Sequence, residues 1–514
     1  MTAGADQQQR RRRPHVLVVT YPAQGHLNPA LQFSIRLVSL GCRVTLVTTV
    51  SGHRRIDASS SSLPAEGLSI ATFSDGHDDE VQTSSSSSQA TDRAQRWAQL
   101  VTRGSQFLRE LIASNAREGT PFACLVYTIL LTWAMDAARE ENLPSTLLWI
   151  QPATVLDIYY YFVNGYEEMF DNCKDPSFAV ELPGLPVSFT SKDLPSIVVP
   201  SNPYPMFLEA MKNQIEVLSS SSREEDRTGT TTMVLVNTFD ALELEALKAL
   251  EGKLDMVGVG PLVPSSFLSV TQYPITTFNT TTNSASGDDD DDKIIISAPD
   301  YMTWLDSQAT SSVVYVSFGT IAEVSRRQKE EVGKALVSSG RPFLWTLRKE
   351  AEKAGEEEGV EVARWREEME EKAAEAGGRI VEWCSQVDVL SHGAVGCFLT
   401  HCGWNSTLES MCLGVPMVGF PQFSDQETNT KLVEDVWRTG VRVTIVPENG
   451  GGGGAVVEEG EIRRCLDLVM GDGEVGEEVR RNARKWKELA RSAVGEEGGT
   501  SYANLKAFVD EITS

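Results

Sequence analysis

The sequence predicts an α/β fold of two consecutive domains, each built around a parallel sheet, and three observations support this prediction. The chain has 514 residues, more than a single hydrophobic core usually organises. Short apolar segments alternate with segments of helical periodicity in both halves, which is typical of parallel sheets covered by helices. Between the halves the composition changes to Ser, Thr, Asn and Gly and then to Asp288–Asp292, which indicates a linker.

The domain boundaries follow from these changes of composition. We expect a flexible basic tail at 1–13, an N-terminal domain at 14–262 and the linker at 263–298. A C-terminal domain then covers 299–493, and a closing helix occupies 494–514.

Charge and cysteine content limit the partners of the protein. The net charge is −26, from 46 basic and 72 acidic residues, and such a surface repels nucleic acid and anionic lipid. Eight cysteines are scattered without any Cys-x-x-Cys pair, which indicates reduced thiols and no metal site. No apolar run approaches the ~20 residues of a membrane span. We therefore expect a cytoplasmic monomer without metal, cofactor, nucleic acid or membrane span.

The first half begins with a strand–helix–strand pattern. His15–Thr20 is a short apolar strand, and Asn28 is expected to cap a helix whose first residue is Pro29. Arg43–Thr49 is the second strand, so the connection predicts a parallel pair. Further predicted elements of this half are the strands Ala123–Tyr127, Thr146–Trp149 and Met233–Asn237 and the helices Gln99–Ala113, Trp133–Glu141 and Asp240–Leu250.

One segment of this half, Gln151–Tyr166, is rich in aromatic residues. It has two interpretations, a half-buried helix or part of the lining of an apolar pocket for a small molecule. The sequence leaves both open.

The second half repeats the alternation, so the chain predicts two Rossmann-like domains that face a cleft. Sheets of this type bind ligands beyond the carboxyl ends of their strands, and both His26 and His401 follow such ends. The predicted strands are Val313–Phe318, Phe343–Leu347, Arg379–Glu382 and Val395–Leu399, and the predicted helices are Gln328–Ser338, Val360–Ala376, Glu477–Ala493 and Tyr502–Ile512.

The residues 383–426 contain the strongest functional signal. The strand Val395–Leu399 leads into a turn that contains Gly403, and Asn405 or Ser406 is expected to cap the following helix, with Glu409 in its first turn. A strand–turn–helix unit aims backbone N–H groups and the positive end of a helix dipole at one point. That point suits a phosphate.

Side chains suited to a nucleotide sugar surround this turn. His401 can donate to a phosphate oxygen, and Ser406 can add a hydroxyl. Trp383 offers a face for stacking on a base, and Asp425 with Gln426 is the polar pair expected to hold vicinal hydroxyls. In the turn after Val313–Phe318, Thr320 is expected to join His401, Asn405 and Ser406 in stabilising a departing diphosphate.

The spacing of these residues resembles the signature box of the plant secondary-product glycosyltransferases, which use UDP-sugars. The resemblance extends from His15 to about Ile512 and implies a GT-B fold, with the last helix crossing back onto the first domain. Local choices resemble the subgroup of anthocyanin 5-O-, crocetin and auxin glucosyltransferases. The matching positions are Trp383, Gln386, His401, Gly403, Trp404, Asn405, Ser406, Glu409, Asp425 and Gln426.

The resemblance implies a role for each position. It implies that Trp383 stacks on uracil while the backbone of Cys384 contacts the edge of the base. Gln426 at the last position of the box is implied to favour glucose. The remaining implied roles are ribose binding by Gln386 and Glu409 and sugar binding by Trp404, Asp425 and Gln426.

We predict that His26 is the general base, because imidazole titrates near neutrality and the loop Pro22–Pro29 resembles the catalytic loop of the family. Most of the family is expected to orient this histidine with an aspartate, but Thr128 stands at that position. Asp136 lies eight residues further along and is a poor substitute. We therefore expect an acidic acceptor, a carboxylic acid or an activated phenol, which demands less of the base.

Together these features predict an inverting, metal-independent transfer of glucose from UDP-glucose to a hydroxyl or carboxylate of a small plant metabolite, such as a flavonoid, a phenolic or a carboxylic acid. The partners are then a UDP-sugar and a small-molecule acceptor. Alternatives are a catalytically silent nucleotide-sugar-binding protein, a transferase for another acceptor class such as terpenoids, and a sugar-nucleotide epimerase.

Overall fold

The structure of the protein is a computed structural model. It describes residues 13–59, 66–78, 90–175, 177–199, 205–225, 232–268, 300–320, 324–348, 356–444 and 456–513. The predicted basic tail except its last residue, the aspartate run of the linker and most of the linker itself lie outside these ranges. Among the described helices, none has the length and apolar character that crossing a membrane requires.

The chain divides into two compact units. The first comprises Met1–Val81, Ser87–Lys293 and Arg491–Ser514, and the second comprises Gln82–Ser86 and Ile294–Ala490. The last helix of the chain belongs to the first unit, where the Asn504 side chain donates to the Gly258 carbonyl at 2.9 Å.

The first unit contains a seven-stranded sheet in which every strand pair is parallel. The strand order is β3-β2-β1-β4-β5-β6-β7. This confirms the predicted α/β class. The strands are β1 His15–Val19, β2 Arg43–Thr49, β3 Leu68–Phe73, β4 Cys124–Thr128, β5 Ser145–Trp149, β6 Met233–Val236 and β7 Asp255–Gly258.

Helices connect these strands, as parallel neighbours require. A π-helix, Phe162–Tyr166, and two short 3₁₀ helices, Asn172–Lys174 and Ser265–Leu268, complete the unit. The α-helices are α1 Gln24–Ser39, α2 Val50–Ser59, α3 Ala90–Arg117, α4 Thr132–Glu140, α5 Ala153–Tyr161, α6 Glu167–Asp171, α7 Pro205–Glu225 and α8 Asp240–Ala249.

The second unit contains a six-stranded sheet, again with parallel pairs, in the order β10-β9-β8-β11-β12-β13. The sequence predicted four of these strands to within one residue and missed β12 and β13, which have only three residues each. The strands are β8 Val313–Ser317, β9 Phe343–Thr346, β10 Arg379–Val381, β11 Val395–Thr400, β12 Met417–Gly419 and β13 Gly440–Arg442.

The helices that follow include one more π-helix, Leu432–Val436. The other helices of this part of the chain are α9 Asp300–Asp306, α10 Arg326–Ser338, α11 Glu356–Glu375, α12 Gln386–Ser391, α13 Trp404–Leu413, α14 Gln426–Lys431, α15 Glu459–Met470, α16 Glu474–Val494 and α17 Thr500–Glu511.

In both sheets the strand order reverses at the centre. β1 lies between β2 and β4, and β8 lies between β9 and β11. At such a switch point the connections leave toward opposite faces and open a crevice beyond the carboxyl ends of the strands. The segment after β1 leads to His26, and the turn after β11 contains His401.

The predicted start of α1 is wrong. The helix begins at Gln24 with Ala23 as its N-cap, so Asn28 is an exposed helical residue and Pro29 lies in the second turn. The apolar face extends back to the buried Leu27, and this burial outweighs the local capping signal of Asn28. His26 therefore projects from the first turn of a helix and not from a loop.

One of the two interpretations of the aromatic segment, a half-buried helix, is wrong for α5. Every residue of α5 is buried, so the helix is interior and not half-buried. It packs against α7 and α8. From α8, the buried Glu243 carboxylate accepts from the Ala153 and Thr154 amides at 3.0 Å each, which satisfies the N-terminus of α5.

A buried arginine links the first helix of the first unit to the segment that follows the last strand of its sheet. Arg36 on α1 is 5% exposed, and its guanidinium donates to the carbonyls of Val259, Pro261 and Val263 beyond β7. Five N–H donors in a rigid fork suit one side chain to several carbonyls at once.

We expect Arg36→Met to lower the free energy of unfolding by about 2–3 kcal/mol, because buried carbonyls lose a charged donor. Urea unfolding followed by tryptophan fluorescence measures this change. The exposed Arg117 provides a matched control, and Arg117→Met should change the value by less than about 0.5 kcal/mol. Equal losses in both variants would contradict the structural role of Arg36.

Candidate functional site

The turn between β11 and α13 is built from one strained residue and one glycine. Cys402 has φ +55°, a left-handed backbone conformation that residues other than glycine rarely adopt. Its amide donates to the Thr400 hydroxyl at 3.1 Å. α13 then begins at Trp404 with Gly403 as N-cap. The first amides of the helix are thereby presented at the carboxyl end of β11.

Two details of the predicted turn are wrong. Neither Asn405 nor Ser406 is the cap, because the reversal at Cys402 starts the helix two to three residues earlier than the capping pattern suggests. Glu409 consequently lies in the second turn. Its buried position places the carboxyl against α12 and not near the helix start.

His401 sits between two glycine backbones. A Cβ on Gly319 would lie 2.6 Å from His401 Nε2, and a Cβ on Gly403 would lie 2.5 Å from it. Only glycine permits this approach. Burial lowers the pKa of His401 to about 4, against a smaller opposing effect of the Ser317 backbone, so the ring is neutral near pH 7.

The turn after β8 lies on the other side of the His401 ring. Gly319 has φ +75°, and Thr320 follows it in a half-buried position, with its carbonyl accepting from Arg348 Nη1 at 2.6 Å. The turn that contains Thr320 therefore lies against the His401 ring, and the residue in contact with the ring is Gly319.

A hydrogen-bonded cluster links α12 to α13. Gln386 Nε2 donates to Glu409 Oε2 at 2.6 Å and to Ser406 Oγ at 2.9 Å. Burial raises the pKa of Glu409 to about 7, while the hydrogen bond from Gln386 opposes the rise. The carboxyl thus changes its charge in the physiological range.

Tyr315 supports this cluster and was missed from the sequence. Its hydroxyl lies 3.3 Å from Cys384 Sγ and donates to Gln386 Oε1 at 3.4 Å. The only available signal was a phenol inside the otherwise apolar strand β8. The Cys384 side chain also lies 3.3 Å from Thr346 Oγ1, so it points into the fold.

Trp383 behaves differently from its neighbours. It is 54% exposed, while most large apolar side chains in the described structure are buried. An exposed indole beside a polar cluster provides a face on which a planar group can stack.

The pair Asp425 and Gln426 stands at the start of α14. Asp425 Oδ2 accepts from Asn429 Nδ2 at 2.8 Å, and the same nitrogen donates to the Cys402 carbonyl at 2.8 Å. Gln426 Oε1 accepts from the amides of Gln422 and Phe423, at 2.9 and 3.1 Å, which fixes the orientation of its side-chain amide.

Two predicted residues flank this region on α13. Trp404 is buried, with its ring centre 5.9 Å from that of Trp437, and Asn405 is half-buried in the first turn. Asn429 was not predicted, although its place one turn after Asp425 on a helix could have suggested the contact.

In the first unit, His26 is paired with a neutral partner. His26 Nδ1 lies 3.2 Å from Thr128 Oγ1, and Thr128 is fully buried at the end of β4. Burial lowers the pKa of His26 to about 4. Asp136 does not substitute for a carboxylate partner, since it is exposed and pairs with Arg139 at 3.1 Å.

Among the residues that the structure describes, no cluster of three or more His, Cys, Asp or Glu side chains has an arrangement that could hold a metal ion.

Comparisons with known proteins identify the family of the chain. The model of the family described as "UDP-glucoronosyl and UDP-glucosyl transferase" matches residues 297–446, which contain the whole polar site of the second unit. UDP-glycosyltransferase 75C1 of Solanum lycopersicum is 47% identical over 98% of this chain and 99% of its own. Crocetin glucosyltransferase, chloroplastic, of Gardenia jasminoides is 48% identical over 97% of each chain.

Solved structures show the same fold. The crystal structure of Os79 from O. sativa in complex with UDP superposes with a TM-score of 0.76 at 32% identity, covering 97% of this chain and 100% of that one. A UDP-glucosyltransferase from Polygonum tinctorium capable of glucosylating indoxyl gives a TM-score of 0.74 at 27% identity, with 98% and 99% coverage. From this near-complete similarity, the chain belongs to the UDP-glycosyltransferase family of plants, with the two-domain GT-B fold.

Proposed function

We propose that the protein transfers glucose from UDP-glucose to a hydroxyl or carboxylate of a small plant metabolite and inverts the anomeric centre. The observation that carries this proposal is the neutral His401 ring held by Gly319 and Gly403 beside the N-terminus of α13. Similar chains support the acceptor class, since one is named a phloretin 4'-O-glucosyltransferase and another an anthocyanidin 3-O-glucoside 5-O-glucosyltransferase.

The nucleoside of the donor fits the cluster around α12. We assign uracil stacking to the exposed Trp383, with the Cys384 backbone at the edge of the base. Ribose hydroxyls donate to Glu409, and Gln386 completes the contact. Glu409 is well placed for this role because its carboxyl is buried and already accepts one hydrogen bond.

The diphosphate fits the turn. His401 donates one N–H, and Ser406, Asn405 and Thr320 add polar groups. The helix N-terminus contributes ~0.3–1 kcal/mol, rising to about 2 kcal/mol when it is partly buried. Since the net charge of −26 repels UDP-sugars at long range, affinity must come from these local donors.

The glucose unit fits the start of α14. We assign Asp425 to accept from two neighbouring sugar hydroxyls and the Gln426 NH₂ group to donate to one of them. We assign the Trp404 indole N–H as a further donor to the sugar. Together with Gly403, whose missing side chain leaves room for the His401 ring, these residues complete the assigned donor set.

The reaction then needs only a proton acceptor and a stabilised leaving group. We assign His26 as the general base. The acceptor oxygen attacks C1 of glucose, its proton passes to Nε2 of His26, and the bond between C1 and the phosphate oxygen breaks. The electron pair leaves on UDP, whose charge is stabilised by the His401 turn. A single displacement inverts C1, and hydrogen-bond donors take the part that a metal plays elsewhere.

We propose a cytoplasmic monomer without a cofactor. All eight cysteines are buried free thiols, in agreement with a reducing compartment.

His26→Ala should lower kcat for a phenolic acceptor by about 10²–10⁴, because the acceptor proton loses its recipient. The affinity for UDP-glucose should stay within about threefold, and calorimetry measures it separately. His53→Ala, a histidine substitution on α2, is the control that should keep activity. Unchanged turnover in His26→Ala would favour a silent nucleotide-sugar-binding protein or another base.

UDP-glucose affinity should fall as the pH is lowered through 7. The pKa of Glu409 is about 7 in the free protein, so the carboxyl is increasingly protonated below that pH and cannot accept from both ribose hydroxyls. The dissociation constant should therefore rise about eightfold between pH 7.5 and 6. UDP-glucose suits this measurement because its diphosphate does not titrate there.

Glu409→Gln should bind weakly and without this pH dependence. The matched control is Glu427→Gln, since burial also raises the pKa of Glu427 to about 7 but the residue is not assigned to the donor. If the pH dependence disappears in Glu427→Gln and persists in Glu409→Gln, the assignment of Glu409 is wrong.

A further inference from the structure

Among the residues that the structure describes, the partners of His26 carry no charge. Its Nδ1 meets the Thr128 hydroxyl at 3.2 Å, and its nearest ring neighbour is Tyr21, with ring centres 5.4 Å apart. Desolvation alone accounts for the lowering of its pKa to about 4, with no contribution from a charged side chain among the described residues. The imidazolium formed during proton transfer would therefore lie in a site that disfavours it.

The Thr128 hydroxyl can orient the ring without stabilising its charge. By accepting from Nδ1–H, it leaves the Nε2 lone pair available for a proton. A carboxylate would impose the same tautomer and would also stabilise the imidazolium, which a neutral hydroxyl cannot do. Thr128 is thus a positioning residue, and the base it positions is weak.

A weak base restricts the acceptors that can react. A carboxylic acid, with a pKa near ~4, arrives ionised and needs no base, whereas a phenol, with a pKa near ~10, must give up its proton. Aliphatic alcohols are far less acidic and place the greatest demand on the imidazole. The difficulty of proton transfer therefore grows with the pKa of the acceptor.

Building on the proposed function, we infer that the acceptor is an acidic group, a carboxylic acid or a phenol acidified by its substituents. In both cases the acceptor oxygen bonds to C1 of glucose and the C1–phosphate bond breaks, with the electron pair leaving on UDP. A phenol passes its proton to His26, while a carboxylate has already lost it to solvent. The products are a glucose ester or an aryl glucoside.

The test is a series of acceptors of similar size and graded acidity: a benzoic acid, substituted phenols and a benzyl alcohol. For the wild-type protein, kcat/KM should fall as the acceptor pKa rises, by at least a hundredfold from the most acidic phenol to the alcohol. Comparable kcat/KM for the alcohol and the acids would overturn the inference. No transfer to any acceptor would overturn the proposed function as well.

Two substitutions at Thr128 distinguish the effect of a carboxylate charge beside His26 from the effect of side-chain shape. Thr128→Asp should raise kcat/KM for the least acidic acceptors by about tenfold, change that for the benzoic acid by less than threefold, and move the acid limb of the pH profile above pH 4. Thr128→Val, which has the same shape, should lower the rates for all phenols together. An equal gain on every acceptor in Thr128→Asp would refute the inference.

Because Thr128 is fully buried, a second measurement avoids substituting it. His26→Ala should lower phenol transfer by about 10²–10⁴ but carboxylate transfer by less than about tenfold, since an ionised acceptor has no proton to give. Equal losses for both acceptor types would count against the inference even if the Asp variant does not fold.

Asn429, in the second unit, carries an independent inference. It is fully buried on α14, and one nitrogen of its amide donates to both Asp425 Oδ2 and the Cys402 carbonyl, at 2.8 Å each. Asp425 belongs to the assigned sugar site, and Cys402 is the strained residue of the phosphate turn. The Asn429 side chain therefore contacts both the assigned sugar site and the phosphate turn.

We propose that Asn429 is a positioning residue that fixes the sugar-binding carboxylate relative to the phosphate turn. Its NH₂ group can serve an oxygen of each, which neither an acceptor-only carboxylate nor an apolar side chain of similar size can do. The distance between the sugar and diphosphate sites is then set by one buried amide.

Asn429→Ala should lower kcat/KM for UDP-glucose by roughly tenfold to a hundredfold and reduce the preference for UDP-glucose over UDP-galactose, because Asp425 loses its orientation. The affinity for UDP alone should change by less than threefold. In combination with Asp425→Ala, the second substitution should add little, as expected for residues that act together.

The matched control is Thr430→Val, which removes a neighbouring buried hydrogen bond of the same helix, from Thr430 Oγ1 to the Gln426 carbonyl at 2.6 Å. It should keep the sugar preference. Additive losses in the double variant, or equal weakening of UDP and UDP-glucose in Asn429→Ala, would show that Asn429 only stabilises the fold.

Discussion

The close approach of two glycine backbones to the His401 ring is the contact on which the second unit's site depends. Gly319 ends the turn after β8, and Gly403 caps α13 after β11. Because β8 and β11 are hydrogen-bonded neighbours at the switch point of the sheet, their turns meet at one edge. A side chain on either glycine would occupy the place of the ring, so the imidazole could no longer lie between the two turns.

The polar groups of both units are kept neutral or nearly neutral by burial. The pKa values of His26 and His401 are lowered to about 4, and that of Glu409 is raised to about 7. Binding of a charged donor by a chain of net charge −26 therefore relies on oriented dipoles and hydrogen bonds, which act at short range. For His26 the same burial lowers the basicity of the imidazole, and the neutral Thr128 hydroxyl does not restore it.

Prediction from the sequence was most accurate for the strands. All nine predicted strands agree with the structure to within one residue at each end, because short β-branched runs have few alternatives in a parallel sheet. Helix starts were less predictable. Asn28 and the Asn405–Ser406 pair carry capping signals that the helices bypass, since burial of Leu27 and the left-handed turn at Cys402 fix the starts earlier. The three-residue strands β12 and β13 gave no periodic signal.

The sequence by itself determined the two-sheet α/β class and the family, and it supplied the residues proposed for the donor site, because these depend on residue type at fixed spacing along the chain. Tertiary structure decided which groups support that site. Tyr315 and Asn429 contact it from a strand and a helix where nothing local marks them. It also decided that the Nδ1 atom of His26 meets a hydroxyl 102 residues further along the chain, a contact set by the pairing of β1 with β4.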